Sequence, residues 1–75
     1  MTDAEAQVRA LYPKHHVTVE RTGGFLAKLY VTQDDGYAVP FEFAYAITET
    51  LALERLWTFA LTKAHALLWK EALGG

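Results

Sequence analysis

Hydrophobic and polar residues alternate with a period of two along three stretches in the first part of the chain. Side chains at every second position of a strand share one face, so this pattern predicts three half-buried strands, over residues 15–22, 25–33 and 37–43. Gly23-Gly24 and Asp34-Asp35-Gly36 separate them, and Asp-Gly tolerates the positive φ angles of a primed hairpin turn. The pattern therefore predicts an antiparallel three-stranded meander.

The same alternation assigns side chains to the two faces of the sheet. The positions predicted to face the core are Val17, Val19, Phe25, Ala27, Leu29, Val31, Tyr37, Val39, Phe41 and Phe43. Lys28, Tyr30 and Glu42 are expected on the opposite face. Pro40 has no N–H to give to a ladder, so the third strand is predicted to lie at an edge of the sheet or to be bulged there.

Two segments with helical character flank the strands. In the first, Thr2 and Glu5 have capping-box spacing, and Pro13 ends the helix near residue 12. The second runs over residues 48–73, which contain no Gly or Pro, and Gly74 is positioned to end it. The order helix, three antiparallel strands, long helix predicts an α+β fold with helices on one sheet face, in a single domain covering residues 1–75.

The long C-terminal helix carries more apolar residues than one sheet face covers. Its predicted core stripe consists of Leu53, Leu56, Trp57, Ala60, Ala64, Leu67 and Leu68. Phe59 lies beside that stripe, whereas Ile47, Leu51 and Trp69 lie roughly opposite it. A helix over residues 48–73 is about 39 Å long, but a seven-residue strand spans only about 23 Å. The first helix, a second copy of the chain or a partner protein is therefore expected to cover the surplus.

Composition and charge weigh against several functional classes. The chain has no cysteine, and its net charge of -2 with only seven Lys and Arg disfavours nucleic acid as a partner. The N-terminus lacks the basic start and apolar run of a secretory signal, and charges interrupt the apolar C-terminal segment. We therefore expect a cytoplasmic protein without a membrane span.

No residue cluster predicts catalysis or metal binding. His15 and His16 are adjacent in a strand and point to opposite faces, and His65 has no His or carboxylate four residues away. Asp34 and Asp35 occupy a hairpin tip, where turn geometry explains them. Serine is absent, and no nucleophile motif is present. The sequence thus predicts a non-enzymatic protein without metal or cofactor.

The order of elements resembles that of the double-stranded RNA-binding domain, and the likeness covers most of the chain. That family grips phosphates with lysines at the start of its second helix, where this chain has Thr48-Glu49-Thr50. In size, acidity and lack of cysteine the chain also resembles small single-domain bacteriophage proteins, some of which inhibit host factors. The first resemblance implies a topology, and the second a possible inhibitor or accessory factor.

Three functional hypotheses follow from these observations. The favoured one is a protein-binding module that acts through the long helix and the sheet edge; its predicted contact residues are Leu51, Phe59, His65, Trp69 and Tyr30. The second is a homodimeric structural protein with the helix as its interface. The third is weak nucleic-acid binding through Lys14, His15, His16, Arg21 and Lys28.

Overall fold

The computed structural model describes residues 2–74, which form two helices and one sheet. The elements are α1 (Asp3–Leu11), β1 (His15–Arg21), β2 (Phe25–Thr32), β3 (Ala38–Ala46) and α2 (Glu49–Ala72). The sheet has the order β1-β2-β3 with antiparallel neighbours, and α2 packs on one of its faces. The predicted helix, meander, helix order and the α+β class are confirmed.

Helix α1 begins and ends where its flanking residues predict. The hydroxyl of Thr2 accepts a hydrogen bond from the backbone N–H of Glu5 at 3.1 Å, as an N-cap should. The Glu5 carboxylate does not complete the capping box; it pairs with Arg9 one turn later at 2.8 Å. Tyr12 is the last residue bonded to the helix, through its N–H to the carbonyl of Val8.

The connection between β2 and β3 differs from the predicted primed hairpin. No non-glycine residue in the described part of the chain has a positive φ, so Asp35 cannot occupy the first position of a primed turn. Instead, Gly36 is the one residue of this connection with a left-handed backbone, at φ 88°. Its N–H donates to the carbonyl of Gln33. The N–H of Gln33 donates to the carbonyl of Tyr37. The hairpin loop is therefore one residue longer than a two-residue primed turn.

A β-bulge interrupts the pairing of β2 with β3. Leu29 pairs with Glu42, whereas the next residue, Tyr30, pairs with Pro40, so Phe41 has no partner across the ladder. The prediction that the third strand is either at an edge or bulged at the proline is confirmed on both counts. A bulge inserts one residue and so changes which later side chains face the core.

Two of the predicted core positions around the third strand are wrong, and the change of phase explains one of them. Phe41 is buried as predicted, but Phe43 is on the outer face and 64% exposed. Ala44 and Ala46 take the inward positions after the bulge. Tyr37 is also exposed, because it lies in the connection before β3 begins and not in the strand.

Helix α2 is a single uninterrupted helix over the predicted segment. The hydroxyl of Thr48 accepts from the N–H of Leu51 at 3.2 Å and caps the first turn. At the other end, Gly74 adopts φ 77° and donates to the carbonyl of Glu71. Within residues 2–74, no helix has the combined length and apolar content needed to cross a lipid bilayer.

The core lies between α2, α1 and the inner face of the sheet, mainly over β2 and β3. Its buried residues are Val8, Ala27, Leu29, Val31, Phe41, Ala44, Ala46, Ala52, Leu56, Trp57, Ala60 and Ala64. The predicted core positions Leu67 and Leu68 are instead 44% and 46% exposed. They belong to the last turns of α2, where no residue from 65 to 74 is buried. The reason is geometric, because a helix of 24 residues outruns the strands beneath it.

Candidate functional site

The side of α2 that faces away from the sheet carries a continuous apolar stripe. Its members recur at alternating intervals of three and four residues, which places them on one helical face. We call this set the outer stripe, and it consists of Phe59, Thr62, Ala66, Trp69 and Leu73. The core-facing residues of α2 lie on a different side of the helix. Helix α2 therefore has two apolar sides, and only one of them is covered.

The outer stripe is well exposed. The exposed fraction is 47% for Phe59, 71% for Trp69 and 73% for Leu73. Helix α1 packs against α2 but leaves these side chains open to solvent, so of the three alternatives for covering the surplus, α1 does not account for them. A large exposed indole beside two other large apolar side chains is a feature typical of protein-contact surfaces.

Hydrogen bonds inside the helix reduce the polarity of this side of α2. The hydroxyl of Thr62 donates to the carbonyl of Thr58 at 3.0 Å, and the hydroxyl of Thr58 donates to the carbonyl of Glu54 at the same distance. A threonine bonded back to its own helix has no need of a water or partner for its hydroxyl proton. Thr62 can therefore present its methyl group without loss of a hydrogen bond.

The charged residues of α2 that flank the outer stripe are basic, whereas Glu42 of β3 lies near Phe59. Between Glu54 and Glu71 the helix contains no carboxylate, although the whole chain has a net charge of -2. Lys70 and His65 lie on either side of Trp69 in the last turns and are exposed. This part of the surface thus combines apolar side chains with positive charge.

The edge of β3 lies beside the outer stripe, and side chains occupy three of its backbone polar groups. Lys63 donates to the carbonyl of Phe41 at 2.6 Å, and Arg55 donates to the carbonyl of Tyr45 at 3.1 Å. The N–H of Phe43 donates to the carboxylate of the neighbouring Glu42 at 3.0 Å. Added partner strands need free backbone groups, so these contacts oppose strand addition at β3.

A shallow groove of about 520 Å³ separates the β3 edge from the outer stripe. Its lining residues are Glu42, Thr58, Phe59, Thr62, Lys63 and Ala66. The groove extends the apolar surface sideways from Phe59 toward the sheet. A side chain that packs beside Phe59 would therefore contact α2 on one side and Glu42 of β3 on the other.

The outer face of the sheet holds a second aromatic group that the sequence pattern missed. Because of the bulge, Phe43 and Tyr45 join Tyr30 on this face, and His16 packs edge-on against the Tyr30 ring at 4.8 Å. Lys28 lies among them but pairs with Glu20 at 3.3 Å. The only signal in the sequence for this arrangement is Pro40, which marks the bulge without fixing the position of the extra residue.

The structure brings together three of the five predicted contact residues. Phe59 and Trp69 share the outer stripe, and His65 flanks it. Leu51 is partly buried against the core and lies about 27 Å from Trp69 along the helix. Tyr30 is on the opposite face of the sheet from α2. The contact surface predicted from sequence is thus two separate surfaces, and Ala66 and Leu73 are additional members of the first.

The five residues predicted for nucleic-acid contact do not form one surface. His16 and Lys28 are on the outer face of the sheet, while Arg21 lies over the Phe25 ring on the helix side. His15 also faces the helix side, where its ring contacts the Tyr12 carbonyl and the Arg9 guanidinium. In residues 2–74 no three His, Cys, Asp or Glu side chains are grouped so that they could hold a metal ion.

Burial of Tyr12 raises the pKa of its phenol above the ordinary value, and the negative charge of Glu71 adds to the effect. Tyr12 packs against Phe41 with ring centres 4.8 Å apart, at the junction of α1 with the sheet. This phenol is a structural group of the core boundary and is not part of the outer stripe.

No protein-family model, no curated protein and no solved structure matches this chain.

Proposed function

We propose that this chain is a non-enzymatic protein-binding module whose contact surface is the outer stripe of α2. The observation that carries the proposal is Trp69, which is 71% exposed in the middle of an apolar helical face. Tryptophan is the residue most enriched among those that dominate binding energies in protein interfaces. An inhibitor or accessory factor is the kind of protein that would use such a surface.

The geometry of the stripe favours a helical partner. Side chains spaced by three and four residues form a straight ridge, and a second helix packs along such a ridge with its own apolar side chains between them. The small residues Thr62 and Ala66 separate the aromatic rings of Phe59 and Trp69. They leave room for large side chains of a partner helix between the two rings.

The flanking charges favour an acidic partner. Lys70 and His65 border the stripe, and no carboxylate of α2 lies between residues 54 and 71. Opposite charges beside an apolar seam fix the orientation of two helices and speed their association. We therefore propose an amphipathic helix with Asp or Glu beside its apolar face as the binding element of the partner.

Quantitative affinity capture from the source cell tests this proposal when three forms of the chain are compared. The wild type, Trp69→Ala and the control Tyr37→Ala are used as baits, because Tyr37 is equally exposed but lies in the β2–β3 connection. A specific partner should be retained by the wild type and by Y37A, and lost about tenfold or more from W69A. Proteins that W69A and the wild type capture equally would contradict the proposal.

Homodimerisation through the same stripe is the alternative for this surface. A parallel pair of stripes in register would place the two Lys70 ammonium groups side by side, and no carboxylate of α2 between residues 54 and 71 would balance them. Like charges along a helical seam weaken association. Sedimentation of the wild type and W69A over a range of concentrations separates the two ideas, since only a stripe-mediated dimer loses its association in W69A.

The outer sheet face supports a second candidate function, weak binding of single-stranded nucleic acid. Tyr30, Phe43 and Tyr45 form an open aromatic surface on which bases could stack. The net charge of -2 works against this candidate, since backbone affinity depends on basic residues. A fluorescence anisotropy titration with a labelled oligonucleotide tests it, and Phe43→Ala should abolish any binding that uses this face.

A further inference from the structure

Strand β1 has a free edge, in contrast to β3. The N–H of Thr32 donates to the carbonyl of Lys14, and the N–H of Thr22 donates to the carbonyl of Gly24. In the antiparallel register of β1 with β2, these bonds place the backbone groups of even-numbered β1 residues toward β2. The N–H and C=O groups of His15, Val17, Val19 and Arg21 therefore point away from the sheet.

No side chain seals this edge within the described part of the molecule. The hydrogen bonds made by side chains to backbone groups of the strands involve β3, and none reaches Val17, Val19 or Arg21. The apolar side chains here are also incompletely covered, because α2 lies over β3 and β2. Val19 faces the helix side of the sheet yet is 38% exposed.

We propose that β1 pairs with β1 of a second copy of this chain, antiparallel, about a two-fold axis at Thr18. In this register Val17 lies opposite Val19 of the other copy, so the free backbone groups of both strands meet. About eight new backbone hydrogen bonds would form, and the two sheets would join into one. The axis is perpendicular to the sheet, so the helices of both copies remain on the same side.

The side chains of β1 are complementary to themselves in this register. On the outer face, each His16 lies opposite Glu20 of the other copy, and Thr18 lies opposite Thr18. An imidazole can donate a hydrogen bond to a carboxylate, and Thr–Thr pairs are favourable across antiparallel strands. On the helix side, the two Val17–Val19 pairs bury the apolar surface that α2 leaves open. Only the end pairs of His15 with Arg21 add no complementarity.

This inference does not rest on the proposed function. Strands β1 and β3 are opposite edges of the sheet, and the groove beside the outer stripe is lined by Glu42 of β3. Pairing through β1 therefore leaves the outer stripe of both copies exposed. The dimer would present two such stripes, so one partner with two helices could bind both.

Cysteine cross-linking tests the register directly, because the chain contains no cysteine. Opposed residues of a non-hydrogen-bonded antiparallel pair have Cα atoms about 4.5 Å apart, within disulfide range. Under mild oxidation Thr18→Cys should form a linked dimer at least about tenfold faster than Val19→Cys or Thr50→Cys. In this register position 19 lies opposite position 17, so the two V19C residues would be offset by two residues and lie diagonal to each other. Equal rates for the three variants would overturn the proposal.

Charge exchange provides a second measurement that does not depend on disulfide formation. H16E places like charges opposite each other twice in the dimer and should weaken association about tenfold. The double variant H16E/E20H restores opposite pairs and should regain most of that loss. Sedimentation equilibrium from about 10 µM to about 1 mM gives the dimer association constants of the wild type and the two variants. A wild type that stays monomeric throughout would overturn self-pairing. A double variant that associates no more tightly than H16E would overturn it as well. A monomer that binds a foreign strand at β1 would overturn it too and would assign the edge to that strand.

Discussion

The ammonium group of Lys63 donates to the main-chain carbonyl of Phe41 at 2.6 Å and lies 4.9 Å from the centre of the Phe41 ring. A single side chain of α2 therefore contacts both the backbone and the side chain of the extra residue in the β3 bulge. The bulge leaves this carbonyl without a partner in the ladder, and Lys63 supplies one. The contact fixes the long helix to the irregular part of the sheet.

Replacement of Lys63 by methionine should lower the free energy of unfolding by about 1–2 kcal/mol. Methionine keeps the packing of the aliphatic stem but removes the charge-assisted hydrogen bond and the cation–π contact. Urea denaturation followed by circular dichroism measures the change. Lys70→Met is the matched control, since Lys70 is exposed in the last turn of α2 and should change stability by less than about 0.5 kcal/mol. Equal effects of the two substitutions would show that the Phe41 contact adds nothing.

The two tryptophans should respond to truncation in opposite ways. Trp57 is 3% exposed and packs against Arg9 and His15, so Trp57→Ala should cost about 3–5 kcal/mol of stability. Trp69 is 71% exposed, and Trp69→Ala should change stability by no more than about 0.5 kcal/mol. Thermal and chemical unfolding of dilute, monomeric protein measures both. A loss of several kcal/mol in monomeric W69A would mean that Trp69 serves the fold and would remove the main support for a contact surface.

Gly24 is required by the side chain of Tyr45 and by the backbone beside it. A Cβ at this position would overlap the Tyr45 hydroxyl and approach the carbonyl of Ala46 to 2.9 Å. Gly24→Ala should therefore destabilise the fold by about 1–3 kcal/mol, because the strand ends must separate. In a Tyr45→Phe background the same substitution should cost less, since the hydroxyl is gone and only the ring carbon at 2.7 Å and the Ala46 carbonyl remain too close. A double-mutant cycle measured by urea denaturation gives the difference, and strict additivity would contradict the proposed overlap.

The raised pKa of Tyr12 predicts how stability changes at alkaline pH. Burial favours the neutral phenol in the folded state, so the folded pKa exceeds the unfolded value. The contribution of the neutral Tyr12 phenol to the stability of the fold is fully present below the unfolded pKa of about 10. It is lost as the pH rises through the folded pKa. We expect the melting temperature to fall more steeply above about pH 10 in the wild type than in Tyr12→Phe. Parallel melting curves for the two proteins would contradict this assignment.

Sequence reasoning succeeded where the determinants of structure are local. The Thr2 and Thr48 caps, the glycine at the end of α2 and the alternation in β2 depend on neighbouring residues only, and all are found in the structure. The apolar side chains of the long helix were also correctly expected to exceed what the sheet covers. That inference needed only the lengths of a helix and a strand.

The errors arose where one element constrains another. Alternation counts residues, but a bulge adds a residue to one strand without a change in composition, and so Phe43 was assigned to the wrong face. Leu67 and Leu68 have core-facing positions on a helical wheel, yet the wheel contains no information on where the sheet ends. The exposure of Val19 on β1 was not predicted, because it depends on how far α2 is displaced toward β3.

The bulge at Phe41 also determines how the chain could change through insertion or deletion. Removal of Phe41 itself would leave every later side chain on its present face, because Pro40 and Glu42 already pair with the consecutive residues Tyr30 and Leu29. The deletion would instead take away a buried ring and the carbonyl that Lys63 contacts. A single-codon deletion here would thus keep the ladder continuous but loosen the attachment of the long helix, whereas a deletion in the exposed β2–β3 connection would leave that attachment in place.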